Sequence, residues 1–327
     1  MTESGLTIDG VGLNLTAMKD GYIASLDGIF RRYAAFGCSH VELTARRLDV
    51  VLNGRLNVGR TEAVAEILAG HSLKPTLHAP HAINLMDTPR LDRHVAAAEA
   101  SIAFCKRVGA HSMVIHHGRV PRVDWVDNKA ALLMQERDAL RRLGDIAADA
   151  GVRIAVENII AQPGKTGFPY GADPRALTDQ LAAVDHPAVG GCLDFGHAWL
   201  SATTWGFDYI EALETFSEMV WHLHLHDNCG RPDDTRFGDA GDRVALGFGD
   251  MHAPMFWGTI PWADLLPRMR FRPGTFGGIE LHGRYNHEAE TVVRTAWAFA
   301  DFLNGRSDAA ALCDPYEQSP QVGRAAE

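Results

Sequence analysis

Apolar and polar positions along this chain follow two different periods. Short apolar runs of strand character fall at 12–15, 41–44, 75–79, 112–116, 153–157, 190–194, 220–227 and 277–282. Between them lie longer stretches whose apolar residues recur every three or four positions, the pattern of a half-buried helix. The clearest follows Asp87-Thr88-Pro89 and carries Leu91, Val95, Ala98, Ile102 and Cys105 before Gly109. A capping residue and a proline near the first turn start a helix, and a glycine past the last turn ends it. Further helices are expected near 22–36, 61–69, 128–150, 173–181, 207–216, 262–269 and 288–302. Eight such repeats predict an α/β chain folded as a single closed (β/α)8 TIM barrel over 1–304, with a polar tail at 305–327. The segment 228–258, rich in Gly, Asp and Arg, is long for an irregular loop in a compact domain. Such loops usually serve function, and this one is expected to act as a lid.

One strand breaks the apolar rule. In Trp221-His222-Leu223-His224-Leu225-His226-Asp227, imidazoles alternate with apolar side chains. Successive strand residues point to opposite faces, so His222, His224 and His226 share one face. Neutral imidazole is a common metal ligand, which makes this face suited to a metal pocket. Other strand ends carry matching chemistry: His78, then His81; His116-His117; Glu157-Asn158; Asp194 with His197; and Glu280. The long loop adds Asp250 and His252.

In a parallel barrel these tips meet at the catalytic end. Carboxylates converging in a low-dielectric mouth need neutralising charge, and divalent cations are the simplest source. A mixed His and carboxylate set suits Zn²⁺, Mn²⁺, Fe²⁺ or Co²⁺ better than Mg²⁺. Strand parity allows either His224 or His226 as a ligand, and only one of His116 and His117. His222 lies deeper and reads as a floor residue. Glu42 would face the lumen as either a structural ion-pair partner or a catalytic group. Arg231, Arg119 and Arg284 are candidate substrate clamps by their nearness to strand ends.

Composition narrows the partners. The chain is 46% hydrophobic and 22% charged with a net charge of −10, the profile of a soluble globular protein. Lysine is confined to Lys19, Lys74, Lys106, Lys129 and Lys165, so a nucleic-acid partner is disfavoured. Cys38, Cys105, Cys192, Cys229 and Cys313 are scattered, as free thiols in a reducing cytoplasm would be. The N-terminal residues lack the apolar core of a signal peptide, and no run is long enough for a membrane span.

Glu157-Asn158, Leu193-Asp194-Phe195-Gly196-His197, His224 with Asp227, and Ile279-Glu280 resemble the xylose isomerase-like TIM-barrel superfamily. That group includes sugar phosphate isomerases and epimerases, inosose dehydratases and endonuclease IV-type DNA-repair enzymes. The resemblance runs from about Val11 to Asn304. In the epimerase branch it implies one metal held by Glu157, Asp194, His224 and Glu280. The two glutamates would also move protons, and His197 would bind substrate.

The endonuclease IV branch holds three zinc ions, and its additional ligands match His78, His116, His197, Asp250 and His252. The expected activity is thus a divalent-metal-dependent sugar or cyclitol isomerase or epimerase. It would use one to three ions, Glu157 and Glu280 as catalytic groups, and His197, His78 and Arg231 toward a carbohydrate-like small molecule. A multinuclear phosphoester hydrolase and a keto-sugar lyase or dehydratase are the alternatives. A non-catalytic binder is least expected, because a buried carboxylate pair is costly to keep. A homo-oligomer is compatible with this reading.

Overall fold

A computed structural model describes residues 7–15, 18–161, 167–234 and 236–308. Most of the expected tail, and Cys313 with it, lies outside the described residues. The barrel strands are β1 (Ile8–Asn14), β2 (His40–Thr44), β3 (Lys74–His78), β4 (Ser112–His116), β5 (Arg153–Glu157), β6 (Val189–Asp194), β7 (Val220–Leu225) and β8 (Thr275–Ile279). Each pairs in parallel with its sequence neighbours, and β8 pairs with β1 to close the ring. The architecture is the expected (β/α)8 barrel.

Period-two patterning explains the two barrel faces. In β5, Ile154 and Val156 join the core under the surrounding helices, whereas Ala155 packs with Val114 of β4 and Cys192 of β6 in a separate cluster. Glu157 shares the face of Ala155 and so arrives at the lumen. Helix ends follow several of their terminal signals, but Asp87 makes no capping bond: a 3-10 turn, Thr88–Arg90, precedes Leu91–Val108, and the Asp87 carboxylate pairs with Arg90 and His94 instead. Asn57 caps Val58–Ala69, Asp173 caps Pro174–Val184, and Gly109 ends Leu91–Val108 at φ +74°. The expected start at 128 gives way to a longer element, Arg122–Asp149, with non-helical angles at Asn128 (φ −129°, ψ 16°).

Two features escape the sequence pattern. A small antiparallel ribbon joins Val51–Leu52 to Arg55–Leu56. The helix Phe195–Trp205 directly follows β6. Phe195, Gly196, His197, Ala198, Leu200, Ser201 and Ala202 are all buried there, so no polar stripe exists to reveal a helical period.

Close strand approach limits the residues that β1 can use. A Cβ on Gly12 would sit 2.1 Å from the His40 carbonyl oxygen across the β1–β2 pair. Backbone cannot yield as a side-chain tip can. Gly12→Ala is expected to cost about 1–3 kcal/mol, read as a lower urea midpoint with unchanged slope. Among the described residues no helix is long and apolar enough to cross a membrane.

Candidate metal-binding active site

The strand tips surround a cavity of about 580 Å³. Its polar lining includes His78, His81, His116, Glu157, His197, Asp250, His252 and Glu280, and its apolar wall includes Val120, Pro121, Ile159, Ile160 and Pro169. The volume is in the range of small-molecule sites. His224 and Asp194 lie just beneath, both fully buried.

Four of the sequence-selected residues meet at one point. His224 Nδ1 lies 3.2 Å from Glu157 Oε1, 3.8 Å from Asp194 Oδ2 and 3.8 Å from Glu280 Oε2. Glu157 is the hub. Its Oε2 lies 3.3 Å from His78 Nε2 and 3.4 Å from His116 Nε2, and its Oε1 lies 3.3 Å from His197 Nδ1. His197 in turn reaches Asp194 Oδ2 through Nδ1 and Asp250 Oδ2 through Nε2, each at 3.3 Å. His252 Nε2 is 2.9 Å from Asp250 Oδ2.

Local structure positions these groups. Asp194 caps the helix it precedes by accepting from His197 N at 2.7 Å, which places His197 one turn on and facing the same hollow. Asn158 clamps the β5 and β6 tips together. It accepts from Asp194 N at 2.8 Å and donates to Asp194 O at 2.9 Å. Glu280 Oε1 accepts from Asn14 Nδ2 at 3.0 Å, so its other oxygen turns toward His224 and His252.

The loop 228–258 reaches the cavity because Asp227 holds it. Asp227 is fully buried and accepts from Asn228 N (2.8 Å), Phe256 N (2.9 Å), Ile260 N (3.4 Å) and Trp262 Nε1 (2.9 Å). Its backbone exchanges two hydrogen bonds with Ala253. The result is to bring Asp250 and His252 over the β8 tip, where His252 Nδ1 lies 3.0 Å from Glu280 O. His252 adopts φ +43°, a left-handed conformation in which this imidazole is held.

Burial opposes every charge in this cluster, and opposite neighbours offset it. Burial alone would raise the Glu157 carboxyl, yet His224 and His116 hold it well below the usual range. Burial would lower His197, yet Asp194 and Asp250 raise it well above its ordinary value. His252 is pushed up to about 9, against its burial, by Asp250. Such opposed shifts mark sites where charge is stored for use.

The donor set fits a divalent cation. His78, His116 and Glu157 offer atoms within 4.8 Å of one another; so do Glu157, Asp194 and His197, and so do His197, His226, Asp250 and His252. Glu157 Oε2 is buried without a hydrogen bond, although two imidazole nitrogens approach it. A cation shared by these donors would satisfy that oxygen.

Several choices left open by strand parity are decided here. His116 faces the cavity, while His117 is buried behind it, within 2.7 Å of Gly118 O and edge-on to Tyr170. Both His224 and His226 face inward; His226 Nε2 is 3.0 Å from Asp194, and its ring stacks on His252 at 4.0 Å. His81 lines the cavity, its ring 4.3 Å from His78.

Arg231 is not brought to the cavity. Its guanidinium donates to Leu246 O at 2.7 Å and lies over the Phe248 ring, so it braces the long loop. Arg119 does line the cavity, as sequence position suggested. The apolar wall Ile159–Ile160 was not foreseen; its only signal was two adjacent isoleucines directly after Glu157-Asn158.

The family model described as "Xylose isomerase-like TIM barrel" matches residues 30–301. A curated relative, an uncharacterized protein of Methanocaldococcus jannaschii, is 28% identical over 122 residues, covering 37% of this chain and 39% of its own length. The chain therefore spans well under half of that relative. A crystal structure of a D-tagatose 3-epimerase-like protein is 18% identical with a TM-score of 0.66, covering 90% of this chain and 99% of that one. The IOLI protein with a bound zinc atom is 20% identical with a TM-score of 0.63, covering 91% and 98%. At these identities the likeness to solved structures is one of fold.

Proposed function

The chain belongs to the xylose isomerase-like TIM barrel family, and we propose that it acts as a divalent-metal-dependent isomerase or epimerase on a sugar or cyclitol in the cytoplasm. The observation that carries this reading is the approach of Glu157, Asp194 and Glu280 oxygens to within 3.8 Å of one imidazole nitrogen, His224 Nδ1, at the floor of a sugar-sized cavity. Fold neighbours described as D-tagatose 3-epimerase-like and as zinc-bound support it.

Glu157, Asp194, His224 and Glu280 would hold a Zn²⁺, Mn²⁺, Fe²⁺ or Co²⁺ ion. When bound, the ion supplies Lewis acidity that polarises a carbonyl and acidifies the adjacent C–H. Glu157 and Glu280 both line the cavity, from strands β5 and β8. One carboxylate removes the proton next to the carbonyl, and the other returns a proton to the neighbouring position or the opposite face. Asn14 steadies Glu280 by donating to Oε1, which leaves Oε2 for proton transfer. His197 and His78 border the same space and donate to substrate hydroxyls. The apolar wall, Ile159 and Ile160 included, excludes water from the reacting carbon.

Incubation in deuterated water with ketoses, keto-sugar acids and inososes tests this. Deuterium is expected to wash in next to the carbonyl of at least one substrate; no incorporation across the panel counts against the isomerase. The ion is tested by melting. At about a hundredfold excess over its Kd it would stabilise the fold by about 2.7 kcal/mol. That corresponds to a rise of several degrees that a chelator reverses.

A second reading has its own support. The donor sets are linked through Glu157 and His197, as in a site for two or three ions. Such a site suits phosphoester hydrolysis, with the ions activating water and clamping the leaving oxygen. Elemental analysis discriminates: about one ion per chain removes the hydrolase, whereas three ions with cleavage of an abasic oligonucleotide would establish it. A keto-sugar lyase would use the same glutamate pair and would show product loss of water in the deuterium experiment.

A further inference from the structure

Beneath the cavity lies a second layer of polar groups with no solvent access. Glu42 of β2 is fully buried, as are His222 and His224 of β7, and Ser112 of β4 is nearly so. These groups form one continuous chain. Ser112 Oγ is 3.2 Å from His222 Nδ1, and His222 Nε2 is 2.8 Å from Glu42 Oε2. That same oxygen is 3.1 Å from His224 Nε2. His224 Nδ1 then faces Glu157 Oε1 at 3.2 Å.

The donor and acceptor inventory leaves little freedom in this chain. A carboxylate oxygen only accepts, so both imidazoles place a hydrogen on Nε2. His222 Nδ1 is then the acceptor for the Ser112 hydroxyl, and every link from Ser112 to His224 Nε2 has a donor and an acceptor. On His224 the consequence is directional. With its Nε2 proton committed to Glu42, a neutral His224 presents the Nδ1 lone pair toward the oxygens of Glu157, Asp194 and Glu280. Facing three carboxylates, Nδ1 needs a positive partner, a proton in the ion-free protein or a cation when one is bound.

We propose that Glu42, braced by His222 and Ser112, is a positioning residue that accepts a hydrogen bond from His224 Nε2–H and so aims Nδ1 at the bound ion. The inference rests on the metal reading above and adds a function for Glu42, His222 and Ser112, which stand behind His224. A carboxylate behind a metal-binding imidazole fixes its tautomer and ring orientation and raises its basicity. Strand pairing also accounts for the reach. Glu42 shares the β2 face with His40 and Thr44 and enters the lumen opposite β7, so residues 182 positions apart can pair.

The test uses Zn²⁺ as the probe, titrated against a chromophoric chelator, and needs no knowledge of the substrate. Glu42→Gln keeps the shape and removes the charge; it is expected to weaken Zn²⁺ binding about 10- to 100-fold. Ser112→Ala, one link further away, should weaken it only a few-fold. The readout that a merely structural role would not move is the ¹⁵N histidine spectrum of the Zn²⁺-loaded wild-type protein. It should show His224 protonated at Nε2 and metal-shifted at Nδ1. Wild-type affinity in Glu42→Gln, or a His224 without its Nε2 proton, would overturn the positioning role while leaving the metal site standing. Failure of the wild-type protein to bind Zn²⁺ would instead overturn the metal reading, and this inference with it.

Discussion

Glu157→Gln is expected to lower proton exchange at the substrate carbon by about a hundred- to ten-thousand-fold, the usual weight of a general base. It should also weaken ion binding, because Glu157 is the hub of the cluster. One carboxylate faces His78 at 3.3 Å, His116 at 3.4 Å, His197 at 3.3 Å and His224 at 3.2 Å. An amide offers one oxygen where two are used, and its NH2 group would point at imidazole nitrogens or at the cation. Four imidazoles hold the Glu157 carboxyl well below the usual range against its burial, so its charge stabilises the fold, and the melting temperature of the ion-free variant should also fall. Deuterium wash-in and Zn²⁺ titration read the two effects separately. Retained exchange in the variant would transfer the proton-abstracting role to Glu280 alone.

Asp227→Ala is expected to cost about 3–5 kcal/mol, the range for removing one partner from a buried charged network. The carboxylate is fully buried and accepts from three backbone N–H groups and the Trp262 indole. Removing it strands four donors away from water, each costing about 1–3 kcal/mol when unmade, offset where the loop relaxes. Relaxation has a functional consequence. The same bonds hold the segment that carries Asp250 and His252, so activity should fall further than the stability loss predicts at temperatures where the barrel remains folded. Burial pushes the Asp227 carboxyl up to about 6, so the neutral form is accessible. Asp227→Asn should therefore recover part of the loss, limited by an NH2 group facing donors. Urea denaturation of both variants checks the order; equal midpoints for Asp227→Ala and wild type would remove Asp227 as the loop's anchor.

The barrel was legible because its information is local. Eight short apolar runs separated by amphipathic stretches need only neighbouring residues to be read, and the observed strands fall within a few positions of the expected ones. The one α-helix of full length that was missed, Phe195–Trp205, is the one whose residues are buried on nearly every side, where no period survives. Site chemistry was legible to the same extent. His222, His224 and His226 share a face by strand parity, and Glu157, Asp194 and Glu280 end strands whose tips must meet once the ring closes.

Depth and partnership were a different matter. Strand parity treats His224 and His226 alike. Only the closed barrel shows that His224 stands between Glu42 and Glu157 while His226 stacks on His252 beside Asp194. Glu42 could have been a structural ion-pair partner or a reacting group until its oxygen was found against two imidazoles 180 and 182 residues away. Arg231 sat near a strand end in sequence, yet its guanidinium turns to Leu246 and Phe248 instead of the cavity. The amino-acid sequence by itself determined which side chains reach the lumen, because the alternation of strand faces is a property of the local backbone. Which of them touch, and at what depth, was decided by the closing of eight strands into one ring, because burial and charge pairing depend on distances that no local pattern contains.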